Sequence, residues 1–473
     1  MYKLKNLVTA GSLVLALLLT GCDGGPGQSG KAGGDAAEGM FSVPVAYYTL
    51  PNGLKVILSP DHSTPTATVA VYYNIGFRIE PRDRTGFAHL FEHMMFQGSQ
   101  NLGKMEFIKL VEGNGGILNG STRFDFTNYF EVVPAHKLET MLWAEADRMR
   151  GLAITQDNLS NQQGVVKNEV KVNVLNQPYG GFPWLDMPQY ANKNWFNAHN
   201  FYGDLADLDA ATLEDVQDFF NTYYSPNNAA LAIVGDFDPA QAKQWVAEYF
   251  GGIPSAALPA TPDLSEPAQT AEQRFEKVDS LATQPAVAVA YHMPERNSDA
   301  YYAMGLINQI LTQGDNSLLH QKLVKEKGYT SSVSGGINYP LGNMFNYNGP
   351  MLFMFYSIHD RAYASDEVLG SIDETINGLA ASGLTQEMLD KALVKIRSSL
   401  YDNLGSTGGI GRADLLCSFA LFDNDPARIN TLEERFRSIT PEVANAALQQ
   451  YLVPANRTIL TLKPAAGGES VNP

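Results

Sequence analysis

Cysteine is nearly absent from this chain. Cys22 and Cys417 are the only two in 473 residues, so a disulfide framework cannot organise the fold. Basic residues are also in deficit: 33 Lys and Arg stand against 50 Asp and Glu, a formal charge of −17. That balance argues against a nucleic-acid binder, which normally shows a basic face. It suits cationic or peptide partners, and an acidic, soluble surface equally well. Histidine is scarce too, with eight in the whole chain, which gives weight to any two that fall at a meaningful spacing. What the chain has in quantity is apolar material, 44% hydrophobic and 10% aromatic. This is enough to fill two or more cores and too much for wholesale disorder.

The first apolar run, Leu7 to Leu19, follows Lys3 and Lys5 and is too short to span a bilayer comfortably. It has the form of a secretory leader. Leu19-Thr20-Gly21-Cys22 closes it and resembles the bacterial lipobox. On that reading residues 1–22 are a lipoprotein signal peptide and Cys22 is the lipidated first residue of the mature chain. The protein is then expected in the bacterial cell envelope, lipid-anchored and facing the periplasm, with Asp23 pointing to the inner membrane. Residues 23–43, rich in Gly, Ser and Ala, read as a flexible tether. With Cys22 lipidated, Cys417 has no partner in its chain and reads as a small buried apolar residue.

Past the tether, strands are expected over Tyr47 to Leu58, turned at Asn52-Gly53, and over Thr66 to Ile75. A helix follows at Asp83 to Gln97, then a long strand from Leu118 to Val133. Helices at about 135–151, 156–173 and 212–223 precede a strand at Ala229 to Val234 and a helix ending at Phe250. Residues 253–279, rich in Pro, Ala, Thr and Glu, read as a linker. The order then begins again: a strand near Pro285 to His292, a helix from Ser298 to Leu311, strands within 330–357, long helices, and a last strand near Leu462. The expected fold class is α+β, with two α/β-sandwich domains of one plan, 44–252 and 280–466, and a tail at 467–473.

The string that carries chemistry is His89-Leu90-Phe91-Glu92-His93. On a helix, positions i and i+4 lie on one side, so both imidazoles point the same way, with Glu92 beside them. Two neutral imidazoles suit zinc, and a carboxylate at the open coordination position can take a proton from water. This is the H-x-x-E-H order of the inverzincins. Phe87, Leu90, Phe91, Met94, Met95 and Phe96 make the helix apolar nearly all round. It should therefore be buried, and an unpartnered His pair would be costly there.

Further motifs follow in order. They are Leu50-Pro51-Asn52-Gly53-Leu54-Lys55-Val56, Gly86-Phe87-Ala88-His89, Gly115-Gly116-Ile117-Leu118-Asn119-Gly120 with Thr122, Asp125, Thr127 and Tyr129, then Tyr223-Tyr224-Ser225-Pro226-Asn227-Asn228 and Gly235-Asp236. Together they resemble the pitrilysin/insulinase family of metallopeptidases over nearly all of 44–465. The resemblance implies a zinc endopeptidase holding one Zn²⁺ per chain. It implies a third ligand at Glu169, placed after His93 as the family places it, with Glu92 as catalytic base. Asn119, Gly120, Ser121 and Thr122 would form the strand edge on which an extended peptide substrate docks. It further implies that two such domains form half of a four-domain clamshell.

Two departures stand out. Gln162 occupies a position where the family often has a second Glu. The Arg and Tyr by which the family's second half orients a substrate carbonyl are replaced by Val324 and Ser331. The expectation is a zinc-bearing subunit completed by a homologous chain that lacks the zinc ligands and supplies the Arg and Tyr. A homodimer using Tyr329 in a shifted register is a second arrangement. A peptide-binding or scaffold subunit without turnover is the reading from another class.

Overall fold

The computed structural model describes residues 42–465. The leader, Cys22 with its lipidation, residues 23–41 of the tether, residue 466 and the tail at 467–473 lie outside the described residues. No described helix is long and apolar enough to cross a membrane.

Two mixed sheets organise the chain. The first holds β1 (Ala46–Thr49), β2 (Lys55–Pro60), β3 (Thr66–Tyr73), β4 (Ile117–Thr122), β5 (Thr127–Pro134) and β6 (Ala229–Gly235), in the order β1-β2-β6-β3-β5-β4. The second holds β7 (Gln273–Asp279), β8 (Ala286–His292), β9 (Ser334–Ile337), β10 (Leu352–Ile358) and β11 (Arg457–Pro464), in the order β7-β11-β8-β10-β9. In the first sheet only β2 and β6 run parallel. In the second only β7 and β11 do. Setting β1 aside, the two sheets share one strand order and one pattern of directions, so the repeated plan expected from the sequence is realised in the topology.

Two expectations are corrected. Leu118 to Val133 is a hairpin, not one long strand: β4 and β5 pair antiparallel, with Thr122 opposite Thr127. The alternation of Phe124 and Phe126 with polar neighbours carries straight through the turn, so periodicity alone could not reveal it. The stretch 253–279 is not linker to its end, because Gln273–Asp279 is β7, paired in register with β11. Its outward positions are Arg274, Glu276 and Val278, while Lys277 and Asp279 lie on the half-buried face, so no apolar alternation marks this edge strand to a hydropathy reading.

The first core lies between one face of the first sheet and the helices α1 (Phe87–Met94), α2 (Glu106–Gly113), α3 (Leu138–Arg150) and α4 (Gln156–Val170). Along β6, Leu231 and Ile233 enter this core. Ala230, Ala232 and Val234 face the opposite way, onto helix Ile410–Phe422 from the second half. Cys417 lies on that helix, fully buried and free, and burial pushes its thiol well up. The exchange is reciprocal. Met187 and Ala191 of the first half cover Ala286, Ala288 and Ala290 of the second sheet. Each half thus buries apolar surface on the other, and the pair folds as one body.

A buried clasp reinforces this. The Arg78 guanidinium makes two hydrogen bonds to Asp125, at 2.6 and 3.3 Å, and others to Asn197 Oδ1 and Pro350 O at 2.7 and 3.0 Å. Asp125 sits in the β4–β5 turn, and its Oδ2 accepts from the Asn348 N–H at 2.7 Å. The turn at the end of β4 is therefore fixed by a loop of the second half.

Candidate metal centre

Helix α1 begins at Gly86, whose backbone is left-handed (φ 81°) and whose lack of a side chain leaves the first turn without a cap of its own. Its apolar positions Phe87, Leu90, Phe91 and Met94 are buried in the first core, which fixes the rotation of the helix. The opposite side then presents His89 and His93, with ring centroids 4.9 Å apart and planes at 88°. Helix α4 starts at Thr155, whose hydroxyl caps the Asn158 N–H, a contact contributing about 1 kcal/mol. This helix packs against α1 and carries Glu169 near its end.

Glu169 Oε2 lies 3.6 Å from His89 Nε2 and 3.3 Å from His93 Nε2. One ligand atom from each of the three residues falls within 4.8 Å of the others. Two imidazole nitrogens and one carboxylate oxygen converging from two helices form a donor set that could hold a metal ion, and three such protein ligands would leave a fourth position of a tetrahedral zinc for water or substrate. Among the described residues no other group of three His, Cys, Asp or Glu converges in this way.

The electrostatics favour a cation. Burial lowers the His89 pKa to about 4, with His93 adding to the fall, so the ring is neutral and its nitrogen free to ligate. Burial pushes the Glu169 carboxyl up, but hydrogen bonds from His93 and Tyr202 help to hold it below its ordinary value. The Tyr202 hydroxyl donates to Glu169 Oε1 at 3.1 Å, orienting the carboxylate.

Glu92, between the two histidines, is directed toward β4. Its Oε2 accepts from the Thr122 hydroxyl at 2.7 Å. Burial raises its pKa above the usual carboxylate range, against the lowering effects of Thr122, His93 and Arg123. Gly120 lies directly opposite: a Cβ there would come within 3.2 Å of Glu92 Cγ and of the Tyr129 ring. Among the described residues β4 ends its sheet and pairs with β5 alone, so no strand occupies its other edge. Asn119 is exposed, Gly120 and Ser121 are half-buried, and the Ser121 hydroxyl donates to Asn128 Oδ1 at 2.5 Å.

The structure thus gathers His89, Glu92, His93, Glu169 and the segment Asn119–Thr122 in one place. Thr122 touches Glu92, a contact the sequence reading did not foresee. Gln162 is buried, and its amide donates to Asn161 at 2.8 Å. In the second half, the Tyr329 ring lies 4.7 Å from that of Tyr363, tilted at 60°, and Ser331 is exposed. Sequence reasoning also missed the aromatic wall around His89, formed by Phe201 and Tyr202 at 4.8 and 5.2 Å. The only signal for it was an aromatic pair some 30 residues past Glu169.

Comparison with known proteins agrees with this geometry. Residues 55–196 match the family described as Insulinase (Peptidase family M16), and residues 210–395 match the Peptidase M16 inactive domain. The zinc protease PqqE of Helicobacter pylori is 26% identical over 428 residues, covering 88% of this chain and 92% of that protein. An uncharacterized zinc protease of Streptomyces coelicolor is 23% identical over 422 residues, covering 85% and 86%. The crystal structure of a protease from Helicobacter pylori superposes with a TM-score of 0.82 at 25% identity, over 89% of this chain and 100% of that one. Matched in order through both of its halves, the chain belongs to the M16, or insulinase, family of peptidases.

Proposed function

We propose that this protein is a zinc-dependent endopeptidase acting on peptides or unfolded segments. We also propose that it is the catalytic subunit of a heterodimer, whose homologous partner supplies the substrate-orienting Arg and Tyr. The observation that carries the first part is the convergence of His89, His93 and Glu169, with Glu92 beside them. The second part rests on Val324 and Ser331, which stand where the resemblance implies the Arg–Tyr pair. The lipobox at Leu19–Cys22 supports a lipid-anchored protein at the periplasmic face of a bacterial membrane.

In this reading His89, His93 and Glu169 hold one Zn²⁺ per chain. The bound ion supplies Lewis acidity toward a water and a peptide carbonyl. The open edge of β4 takes the substrate as an added strand, its backbone pairing along Asn119–Thr122. Glu92, anchored at Oε2 by Thr122, uses its free Oε1 to take a proton from the attacking water. As the new C–O bond forms and the C–N bond breaks, it delivers that proton to the leaving amine nitrogen. The raised pKa of Glu92 makes it a stronger base toward the water than an ordinary carboxylate, and the leaving amine, more basic still, can take the proton from it.

The test is zinc content of the purified protein, with peptidase activity on a mixed fluorogenic peptide library, alone and with homologous partner chains. One zinc per chain and turnover only with a partner are expected. Glu92→Gln should abolish turnover and leave the zinc in place. Turnover from the single chain would remove the obligate partner. Absence of bound zinc would overturn the catalytic reading and leave a peptide-binding or scaffold subunit.

A further inference from the structure

One buried carboxylate next to the metal centre is used by neither ligation nor proton transfer. Glu80 lies six residues before Gly86, the residue that opens α1, and is fully buried. Its Oε2 accepts from the Gly86 N–H at 2.9 Å and its Oε1 from the Ala88 N–H at 2.5 Å. These are orphan donors at the start of α1, and Gly86 offers no side chain to satisfy them. The carboxylate therefore caps from outside the helix, placing negative charge at the positive end of its dipole. Burial pushes the Glu80 carboxyl up, while His199 and the two N–H groups work against that rise.

His199 closes the far side. Its Nε2 contacts Phe77 O and lies 3.7 Å from Glu80 Oε2, and its Nδ1 is 3.0 Å from Trp195 O. The ring stacks on Trp195 at 4.2 Å, 9° from parallel. The chain that follows His199 presses on the same helix start. A Cβ on Gly86 would meet Tyr202 O at 2.5 Å, and one on Gly203 would meet Gly86 N at 2.3 Å. The first turn of α1 is thus clamped between the Glu80 carboxylate and the backbone of residues 202–203.

A ligating histidine ordinarily donates its second ring N–H to a carboxylate or carbonyl, and that bond sets the ring. His89 has no such bond: its Nδ1 is buried and finds no hydrogen-bond partner among the described residues. The ring otherwise meets the rings of His93, Phe201 and Tyr202, and those contacts are not directional in the way a hydrogen bond is. The position of His89 Nε2 therefore depends on where the first turn of α1 sits, and Ala88, the immediate neighbour of His89, is one of the two residues Glu80 holds.

From this arrangement we infer that Glu80 is a positioning residue for the metal centre, holding the first turn of α1 and doing for His89 what a hydrogen bond at Nδ1 would otherwise do. The inference rests on the zinc reading above. It assigns Glu80 no contact with substrate or metal.

The experiment is Glu80→Gln in the full chain, assayed with the partner chain if turnover requires it. The amide keeps the size of the side chain but turns one acceptor into a donor facing a backbone N–H. Zinc affinity by chelator competition should fall roughly tenfold to a hundredfold, the range for groups that orient ligands. The absorption spectrum of the cobalt-substituted protein should shift, reporting a changed ligand geometry. In turnover, kcat should fall with KM little changed, because β4 is untouched. Glu80→Asp, which keeps the charge and withdraws it by one methylene, should fall between the two. Wild-type zinc affinity and cobalt spectrum in folded Glu80→Gln or Glu80→Asp would overturn the inference. So would failure of both to fold under conditions where Glu92→Gln folds, since Glu80 would then hold the fold and not the site. If the wild-type chain itself binds no zinc, the functional reading fails first, and the two failures are distinguishable.

Discussion

Replacing Asp125 with Ala should destabilise the protein and slow its chemistry together, although Asp125 touches no ligand. Arg78 is fully buried and Asp125 nearly so. Removing Asp125 strips the guanidinium of two hydrogen bonds and leaves it with Asn197, Pro350 O and the face of Phe124 at 4.8 Å. Breaking one side of a buried pair costs roughly 3–5 kcal/mol, because the remaining charge stays desolvated. The unfolding entropy of about 2.1 cal/mol/K per residue, over the roughly 420 described residues, comes to roughly 0.9 kcal/mol/K. The melting temperature should therefore drop by about 3–6 °C, measured by calorimetry. Asp125 also fixes the turn three residues after Thr122, whose hydroxyl holds Glu92 at 2.7 Å. A shift of ~1 Å there costs on the order of a hundredfold in turnover. The double variant Arg78→Met/Asp125→Ala should recover part of the lost stability by removing the stranded charge. An Asp125→Ala protein melting within about 1 °C of wild type would refute the claim that this pair ties the two halves together.

Two further outcomes are expected. Tyr202→Phe deletes the hydroxyl that donates to Glu169; zinc affinity by chelator competition should weaken about tenfold, and unchanged affinity would remove Tyr202 from the ligand's support. Glu131 is buried beside Arg148 and Glu145, and burial first, then Glu145, pushes its carboxyl well above the ordinary range. A carboxyl whose folded pKa is raised stabilises the protein below its unfolded pKa, and that contribution is lost as pH rises through the folded value. This contribution to the melting temperature should accordingly fall away as pH rises above the ordinary carboxylate range. Glu131→Gln should flatten that slope while Arg148 keeps Glu145, and parallel slopes in melts across pH would refute the assignment.

Some of this protein was written locally and could be read locally. The i, i+4 spacing of His89 and His93, with Glu92 between them, sets three side chains on one face whatever surrounds the helix. The apolar residues around them require that helix to be buried. Asn52-Gly53 marks the first hairpin because few residues accept its backbone angles, and β1 and β2 pair across it. The recurrence of one order of elements pointed to a repeated plan, which the matching strand orders of the two sheets display.

What the sequence could not decide depends on groups distant along the chain. The hairpin at 122–127 is invisible to periodicity because its turn, Arg123 to Phe126, carries no Gly, Pro or Asn, and its Asp125 is held by Arg78 and by the backbone of Asn348 from elsewhere in the chain. β7 escaped notice because an edge strand needs a partner more than it needs apolar residues, and that partner, β11, lies some 180 residues away. Glu169 was reached through family resemblance alone, since nothing local distinguishes it from a surface glutamate until α4 packs against α1. The same holds for Tyr202 on Glu169, Thr122 on Glu92 and Glu80 under the start of α1. The sequence by itself determined the chemistry available, because side-chain type and helical spacing are local properties. Tertiary structure alone decided how that chemistry is aimed, because burial and hydrogen bonding arise only when distant segments share one site.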